Sequence, residues 1–156
     1  MITISQKCQY ALRSVFELAR HQRLAQRGAG GGEFATINDI AAAQAIPPGF
    51  LSTILNELKQ AGLVDSRRGA AGGYFLTVDP KELTVGRIIR LVDGPIQPVK
   101  CIAGGGGDCP LKGKCAFLEM WQQAGDAISA VFDGTTFQEL LDKHEAIGAG
   151  DNTYTI

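Results

Sequence analysis

Residues 36–76, TINDIAAAQAIPPGFLSTILNELKQAGLVDSRRGAAGGYFL, contain the pattern that decides the fold. Thr36 and Asp39 have the spacing of a capping box, with Asp in place of the usual Glu or Gln, and this marks the start of a helix. Pro47 and Pro48 suit the first turn of a second helix, because a first turn does not need their missing N–H. Apolar residues at helical spacing continue that helix until a glycine stops it. The pattern predicts two short helices joined by a tight turn.

Two short apolar runs follow this helix pair. Leu63-Val64 and Tyr74-Phe75-Leu76 flank residues 65–73, which are basic and rich in glycine. Such runs around a turn-forming segment are typical of two antiparallel strands and the tip of a hairpin. A helix-turn-helix followed by a basic hairpin is a winged helix.

Further helices are predicted on both sides of this unit. One begins after Ser5 as a cap and ends before Gly28, and another begins after Thr84 and closes at Gly94. A last helix is predicted where Thr136 and Glu139 repeat the capping-box spacing. We therefore predict a mostly α fold with a small β-hairpin.

A long helix from about Ala116 has an apolar seam. Residues spaced alternately by four and three form it: Phe117, Trp121, Ala124, Ile128 and Val131. This spacing is typical of a helix that packs on another helix. We favour a dimerisation helix, since helix-turn-helix proteins commonly bind paired half-sites. The alternative is a core helix buried within one chain.

The composition bounds the class of protein. The chain has 156 residues, of which 45% are hydrophobic and 20% are charged, and its net charge is −1. Residues 1–80 contain eight basic and six acidic side chains, whereas residues 81–156 contain seven and ten, so a polyanion site is expected in the first half. The sequence shows neither the apolar run of a signal peptide nor a membrane span, which predicts a cytoplasmic protein without membrane association.

The first candidate site is a DNA-binding surface. The predicted exposed face of the second helix offers short hydroxyls, an amide and a cation, which can reach base edges or phosphates in the major groove. Arginines in the wing suit phosphates or the electronegative minor groove. The candidate residues are Gly49, Ser52, Thr53, Asn56, Lys59, Arg67, Arg68 and Gly69. The alternative is a protein-interaction module with a solvated helix face.

The second candidate site is a cysteine loop, Cys101-x7-Cys109-x5-Cys115. Thiols in a cytoplasmic protein stay reduced, and three soft sulfur ligands in one glycine-rich loop fit an iron-sulfur cluster. Zinc usually takes a C-x2-C pair and four protein ligands, which this spacing lacks. Three ordinary reduced cysteines are the other alternative. No nucleophile–base pair or nucleotide loop stands out, so we predict that the protein is not an enzyme.

Several motifs together resemble a known family, the winged-helix regulators IscR, NsrR, RirA and CymR. They are Ser5-Gln6-Lys7, Tyr10 to Arg13, Gly62 to Val64, Arg68-Gly69, Gly72 to Tyr74 and the three clustered cysteines. The resemblance covers roughly the first 135 residues. It implies a homodimeric bacterial transcription factor that binds double-stranded operator DNA and holds a sensory 2Fe-2S or 4Fe-4S cluster.

The resemblance also assigns roles to residues. Arg68 matches the wing arginine, and Ser52 and Thr53 match the part of the recognition helix that approaches bases. The three loop cysteines match the cluster ligands, Cys101, Cys109 and Cys115.

The fourth ligand departs from the family pattern. Leu118 stands where the IscR type has a histidine, and Gln9 stands where NsrR-like members have a carboxylate. Cys8 is then a candidate fourth ligand, although a lone cysteine on a helix is also a common small core residue.

These observations give one organisation and several functional hypotheses. We predict a winged helix-turn-helix domain at 1–80, a cluster-binding loop with dimerisation helices at 81–147 and a flexible tail at 148–156. The leading hypothesis is a regulator whose operator affinity is switched by the cluster. One alternative is a cluster-free regulator that senses redox state through reversible oxidation of Cys8 or a loop cysteine. The other is an adaptor that binds a partner enzyme and holds zinc.

Overall fold

The computed structural model describes residues 3–29, 32–102 and 109–150. These residues form a mostly helical winged helix, as predicted, with six α-helices and one antiparallel hairpin. The elements are α1 (Gln6–Gln26), α2 (Ile37–Gln44), α3 (Pro48–Gln60), β1 (Val64–Arg67), β2 (Gly73–Leu76), α4 (Val85–Val92), α5 (Leu118–Asp133) and α6 (Phe137–Gly150). A single 3-10 turn, Lys100–Ile102, precedes α5.

The predicted caps start the helices. The Ser5 hydroxyl accepts a hydrogen bond from the Cys8 amide (3.1 Å) at the start of α1. Thr36 and Asp39 form the predicted capping box of α2. At the end of α2, Ala45 adopts a left-handed conformation with φ of 49°, which turns the chain directly into α3. The helix-turn-helix is thus confirmed element by element.

Helix α1 is the centre of the hydrophobic core. It contacts α2, α3, β2, α4 and α6, and its inward face is fully buried. The largest buried side chains around it include Leu18, Ile40, Leu55, Leu83 and Phe137. Helix α3 and the hairpin therefore pack on one continuous core, which fixes their relative orientation.

The hairpin is longer than the sequence predicted. Val64 pairs with Leu76 and Arg67 pairs with Gly73, so β1 begins one residue later than predicted and extends to Arg67. Gly72 permits this close pairing, because a Cβ there would lie 2.1 Å from the Arg67 carbonyl oxygen. Ala35 forms a bridge with Tyr74 through two backbone hydrogen bonds of 2.8 and 3.0 Å. The wing is thereby attached to the segment that leads into α2.

The end of the chain differs from the prediction. Helix α6 has the predicted capping box, Thr136 with Glu139, but it continues to Gly150 instead of giving way to a tail at Gly148. Residues 151–156 of the predicted tail lie outside the described residues. Glu145 on α6 forms ion pairs with Arg23 of α1 (3.0 Å) and with Arg27 (2.9 Å), the residue that caps the end of α1. These pairs attach α6 to α1 just before Gly148.

Candidate DNA-binding surface and cysteine loop

Helix α3 separates its residues into a buried face and an exposed face. Leu51, Ile54, Leu55 and Leu58 are buried in the core. The predicted contact residues of this helix are all exposed: Gly49, Ser52, Thr53, Asn56 and Lys59. Within the described residues, the side chains of Ser52, Thr53 and Asn56 make no hydrogen bond to the chain itself. Their donors and acceptors are available to a ligand.

Two contacts from α1 hold α3 in position. The Lys7 ammonium group lies 2.7 Å from the Glu57 carboxylate. The ring of Phe50 packs against Tyr10, with 5.7 Å between the ring centroids. Sequence reasoning did not identify these contacts, because their partners are forty or more positions apart in the chain.

Lys59 lies on the exposed face of α3, as predicted, and also contacts the wing. Its ammonium group donates to the Ser66 hydroxyl (2.8 Å) and lies 2.9 Å from the Asp65 carboxylate. The hydrogen bond from Lys59 lowers the pKa of Asp65, and the Ser66 amide adds to this effect. Lys59 therefore links the recognition helix to the first strand of the wing.

The two wing arginines also differ from each other. The guanidinium of Arg67 lies 5.6 Å from the ring centroid of Phe34, which in turn packs edge-on against Phe75. Arg68 stands beside Gly69 at the hairpin tip, and both are exposed. Within the described residues Arg68 has neither a hydrogen-bond partner nor an ion-pair partner. Arg67 is held by an aromatic side chain, whereas Arg68 is free to meet an anion.

The three cysteines of the loop are free thiols between α4 and α5. Cys101 is exposed on the 3-10 turn, and Cys109 and Cys115 are half-buried. A turn closes where the Lys112 amide donates to the Cys109 carbonyl (3.0 Å), and the Leu118 amide donates to the Cys115 carbonyl (3.3 Å) at the start of α5. The loop therefore leads into α5 without a spacer.

The donor set fits an iron-sulfur cluster, because three reduced and accessible thiols are the ligands that iron takes in such clusters. The thiols are not gathered, however. In residues 3–29, 32–102 and 109–150, no three His, Cys, Asp or Glu side chains lie together as a metal site. Residues 103–108, which join Cys101 to Cys109, lie outside the described part of the chain.

Cys8 lies in the core and not with the loop. It is completely buried beside Ile89 and Ile96. Burial raises the pKa of the Cys8 thiol to about 12, and the neighbouring carboxylate of Asp93 adds to the rise. A buried, protonated thiol is a poor ligand and a poor nucleophile. Its position is that of the small core residue, the alternative raised from the sequence, and we leave it out of the ligand set.

The exposed face of α3 and the arginine at the wing tip, Arg68, are typical of one class of winged-helix proteins, the DNA-binding regulators. The family model Rrf2, described as "Iron-dependent Transcriptional regulator", matches residues 4–143. The chain belongs to the Rrf2 family. It is a transcriptional regulator that binds DNA, and it is not an enzyme.

Individual relatives are similar over most of their length. CymR of Bacillus subtilis is 35% identical over 137 residues, which are 88% of each chain. IscR of Aliivibrio salmonicida is 31% identical over 148 residues, covering 95% of this chain and 82% of that protein. The solved structure of B. subtilis CymR, the global cysteine regulator, superposes with a TM-score of 0.72 at 33% identity and covers 92% of this chain and 98% of that one.

No described helix is both long enough and apolar enough to cross a membrane.

Proposed function

We propose that the protein is a homodimeric regulator whose affinity for operator DNA is switched by an iron-sulfur cluster on Cys101, Cys109 and Cys115. The observation that carries this proposal is the position of the cysteine loop. Three free thiols lie on the one segment that joins the winged helix to α5. The description of the family as iron-dependent also supports the proposal.

The uncovered apolar side of α5 supports the proposed dimer. Phe117 is 61% exposed, Met120 47% and Val131 66%. At about 100° per residue these three side chains, with Ala124, lie along one side of the helix. Apolar stripes of this kind on a soluble protein mark an interaction surface. A second copy of α5 across a two-fold axis covers both stripes and sets the distance between the two recognition helices.

DNA contacts are divided between two elements. Ser52, Thr53 and Asn56 present donors and acceptors suited to base edges in the major groove. Arg68 and Gly69 at the wing tip reach the backbone or the minor groove, where a cation is favoured. Lys59 and Arg67, each held by a neighbour within the chain, orient these elements and add positive charge near the phosphates.

Coupling between the loop and the DNA surface runs through α5. Cys101, Cys109 and Cys115 would hold a cluster as thiolates, and the cluster would supply iron that is sensitive to oxidants. Because the Cys115 carbonyl accepts from the first amide of α5, ordering the loop fixes the start of that helix. Arg90 and Asp133 form a charged pair (2.8 Å) that ties the far end of α5 to α4. A shift of α5 thus changes the spacing of the recognition helices, and couplings of this kind amount to about 1–3 kcal/mol.

The experiment that tests the cluster is an absorption spectrum with iron and sulfide assays on protein purified without oxygen. We expect a brown protein that loses its visible absorbance in air. Cys109→Ser should lose iron and sulfide while keeping its helical content. Cys8→Ala is the matched control, since it also removes one thiol but leaves the loop intact, and it should keep both. Full iron and sulfide in Cys109→Ser would exclude the assignment.

A second candidate is a cluster-free regulator that senses redox state through a loop thiol. The observation that favours it is the separation of the three cysteines, which do not form a metal-binding cluster in the described residues. The thiol involved is Cys101, which is exposed, and not the buried Cys8. Colourless protein that resists reconstitution, and whose DNA affinity changes with reversible oxidation, identifies this alternative.

A further inference from the structure

A polar cavity lies between helix α5 and the segment that precedes the cysteine loop. Its volume is about 310 Å³. Ile96 and Ile102 form an apolar wall of the cavity. The other residues that line the cavity are one glycine and four polar residues: Gly125, Gln97, Gln122, Asp126 and Ser129. Neither the cysteines nor the DNA-binding residues line it, so its chemistry is separate from both sites.

The cavity presents acceptors and one negative charge. The Gln97 Oε1 atom is buried and has no hydrogen-bond partner within the described residues. Buried acceptors without a partner are rare in native proteins, because the lost hydration is not replaced. Asp126 adds a carboxylate and Ser129 a hydroxyl, while none of the lining residues is basic. A ligand that matches this lining brings several donors and a positive charge.

The geometry of α5 places the cavity away from the apolar stripe proposed for the dimer. Asp126 follows Phe117 by nine residues, and Ser129 follows Met120 by nine. Nine residues are two and a half turns at about 3.6 residues per turn, so the members of each pair lie on opposite sides of the helix. A partner α5 seated on the apolar stripe therefore leaves the cavity open.

Gly125 shapes the cavity and brings it close to the cysteine loop. A Cβ at this position would lie 3.2 Å from the Cδ of Pro98 and 3.7 Å from the Cδ1 of Ile102, so the glycine allows the segment to approach α5 closely. Ile102 directly follows Cys101. A ligand in the cavity contacts the residue next to the first thiol of the loop.

We propose that this cavity binds a small molecule through a primary ammonium group. An ammonium group has three donors and no acceptor, which matches the Gln97 oxygen, the Asp126 carboxylate and the Ser129 hydroxyl. The isoleucine wall accommodates a short carbon chain. The inference goes beyond the proposed function and depends neither on a cluster nor on DNA binding.

The test uses propylammonium chloride as the probe and the full chain as purified. Saturation-transfer difference NMR at neutral pH and constant ionic strength should give a saturable signal for propylammonium. 1-Propanol has the same chain without the charge, and propionate has the opposite charge, and neither should saturate. Asp126→Asn should weaken propylammonium binding by about tenfold, the usual effect of losing a hydrogen bond to a charged group.

Glu119→Gln is the matched control, because it removes another exposed carboxylate from α5 that does not line the cavity. This variant should bind propylammonium like the wild type. Equal losses in Asp126→Asn and Glu119→Gln, or a signal that does not saturate, would show surface ion pairing only and would overturn the proposal. Gly125→Ala, with its fold checked by circular dichroism, should also lose binding because its methyl group meets Pro98.

Discussion

The winged-helix body and helix α5 differ in how their apolar side chains are covered. In the body, Leu18, Leu55 and Phe137 are completely shielded by the single chain. In α5, whose residues are all described, Gly125 alone is fully buried, and Val131 is 66% exposed. Both regions are helical and both contain regular apolar spacing. The difference is that the elements of the body pack against one another, while one side of α5 packs against no other element among the described residues.

This difference supports the proposal that a signal acts through α5. A body with a closed core holds its recognition helix and wing in a fixed arrangement. Helix α5 is attached to the body on one side, where Ile128 and Phe132 pack near Ile89, and open on the other. The cysteine loop joins the two regions. We therefore expect a change in the loop to act on α5 and to leave the arrangement of α3 and the hairpin unchanged.

The largest expected effect is on the closed core. Glu17 of α1 is completely buried and accepts from Arg20 (2.6 Å) and from Gln44 of α2 (2.8 Å). Glu17→Ala leaves Gln44 and Arg20 without their acceptor. We expect a destabilisation of about 3 kcal/mol, the lower end for a buried pair, because the side chain of Arg20 is 35% exposed and water can reach it. Urea unfolding followed by circular dichroism measures the change. A loss below about 1 kcal/mol would mean that water replaces the carboxylate easily.

The same residue predicts a dependence on pH. Burial by itself raises the pKa of Glu17, but hydrogen bonds from Arg20 and Gln44 outweigh it, so the pKa lies below its ordinary value. The stability from Glu17 is therefore fully present above the unfolded value of about 4.3 and is lost as the pH falls through the folded value. Between about pH 6 and pH 3 the wild type should lose more stability than Glu17→Gln, which has no carboxylate to protonate. Equal losses of stability in the wild type and in Glu17→Gln would contradict the lowered pKa of Glu17.

The next effect concerns the open side of α5. Val131→Glu should weaken the dimer by about 2–3 kcal/mol. Each of the two subunits then brings one charge into the desolvated interface. The folded body should be unaffected. Sedimentation equilibrium measures the association, and Ala130→Glu, on an exposed side of α5 away from the stripe, is the control. A dimer that tolerates Val131→Glu as well as Ala130→Glu would place the interface elsewhere.

A smaller effect is expected at the wing. Arg68→Ala should weaken binding to DNA by about 1–2 kcal/mol. It should also reduce the slope of log affinity against log salt concentration by about one, because one fewer counterion is released. Fluorescence anisotropy on a duplex selected from a random pool measures both. Arg87→Ala removes an exposed arginine from α4, far from the wing in sequence, and should leave the slope unchanged. Identical slopes for Arg68→Ala and the wild type would remove Arg68 from the contact surface.

The smallest effect is expected for a surface ion pair of the body. Lys7 and Glu57 are both partly exposed, at 45% and 37% of their side chains. Lys7→Gln should change the free energy of unfolding by less than about 1 kcal/mol, since such pairs are screened by water and salt. Thermal unfolding at low and high salt checks this, and a change as large as that of Glu17→Ala would show that the pair anchors α3.

Local signals predicted most of the body. The capping boxes at Thr36 and Thr136, the cap at Ser5 and the prolines before α3 act through neighbouring residues, so their effect is visible in the sequence. The exposed face of α3 follows from helical spacing in the same way. The strand limits were less accurate, because the extension of β1 to Arg67 depends on a partner strand and on the space left by Gly72.

The candidate sites were less predictable than the helices. The sequence identified the wing arginines but could not distinguish them, because Phe34, which lies beside Arg67, is 33 positions earlier. It predicted Lys59 on the exposed face of α3, but it did not show that the ammonium group of Lys59 contacts Asp65 and Ser66. It left Cys8 open between a ligand and a core residue, and burial by α4 and the segment after it decides for the core.

The order of elements, the exposed face of α3 and the set of three loop thiols could be predicted from the sequence, because they depend on local spacing and on residue type. Tertiary structure decided which charges are already paired, which thiol is shielded from water and which side of α5 stays open. These properties depend on distances between elements that are remote in the chain. The physical reason is that burial and ion pairing are set by packing, and packing brings together residues that no local pattern connects.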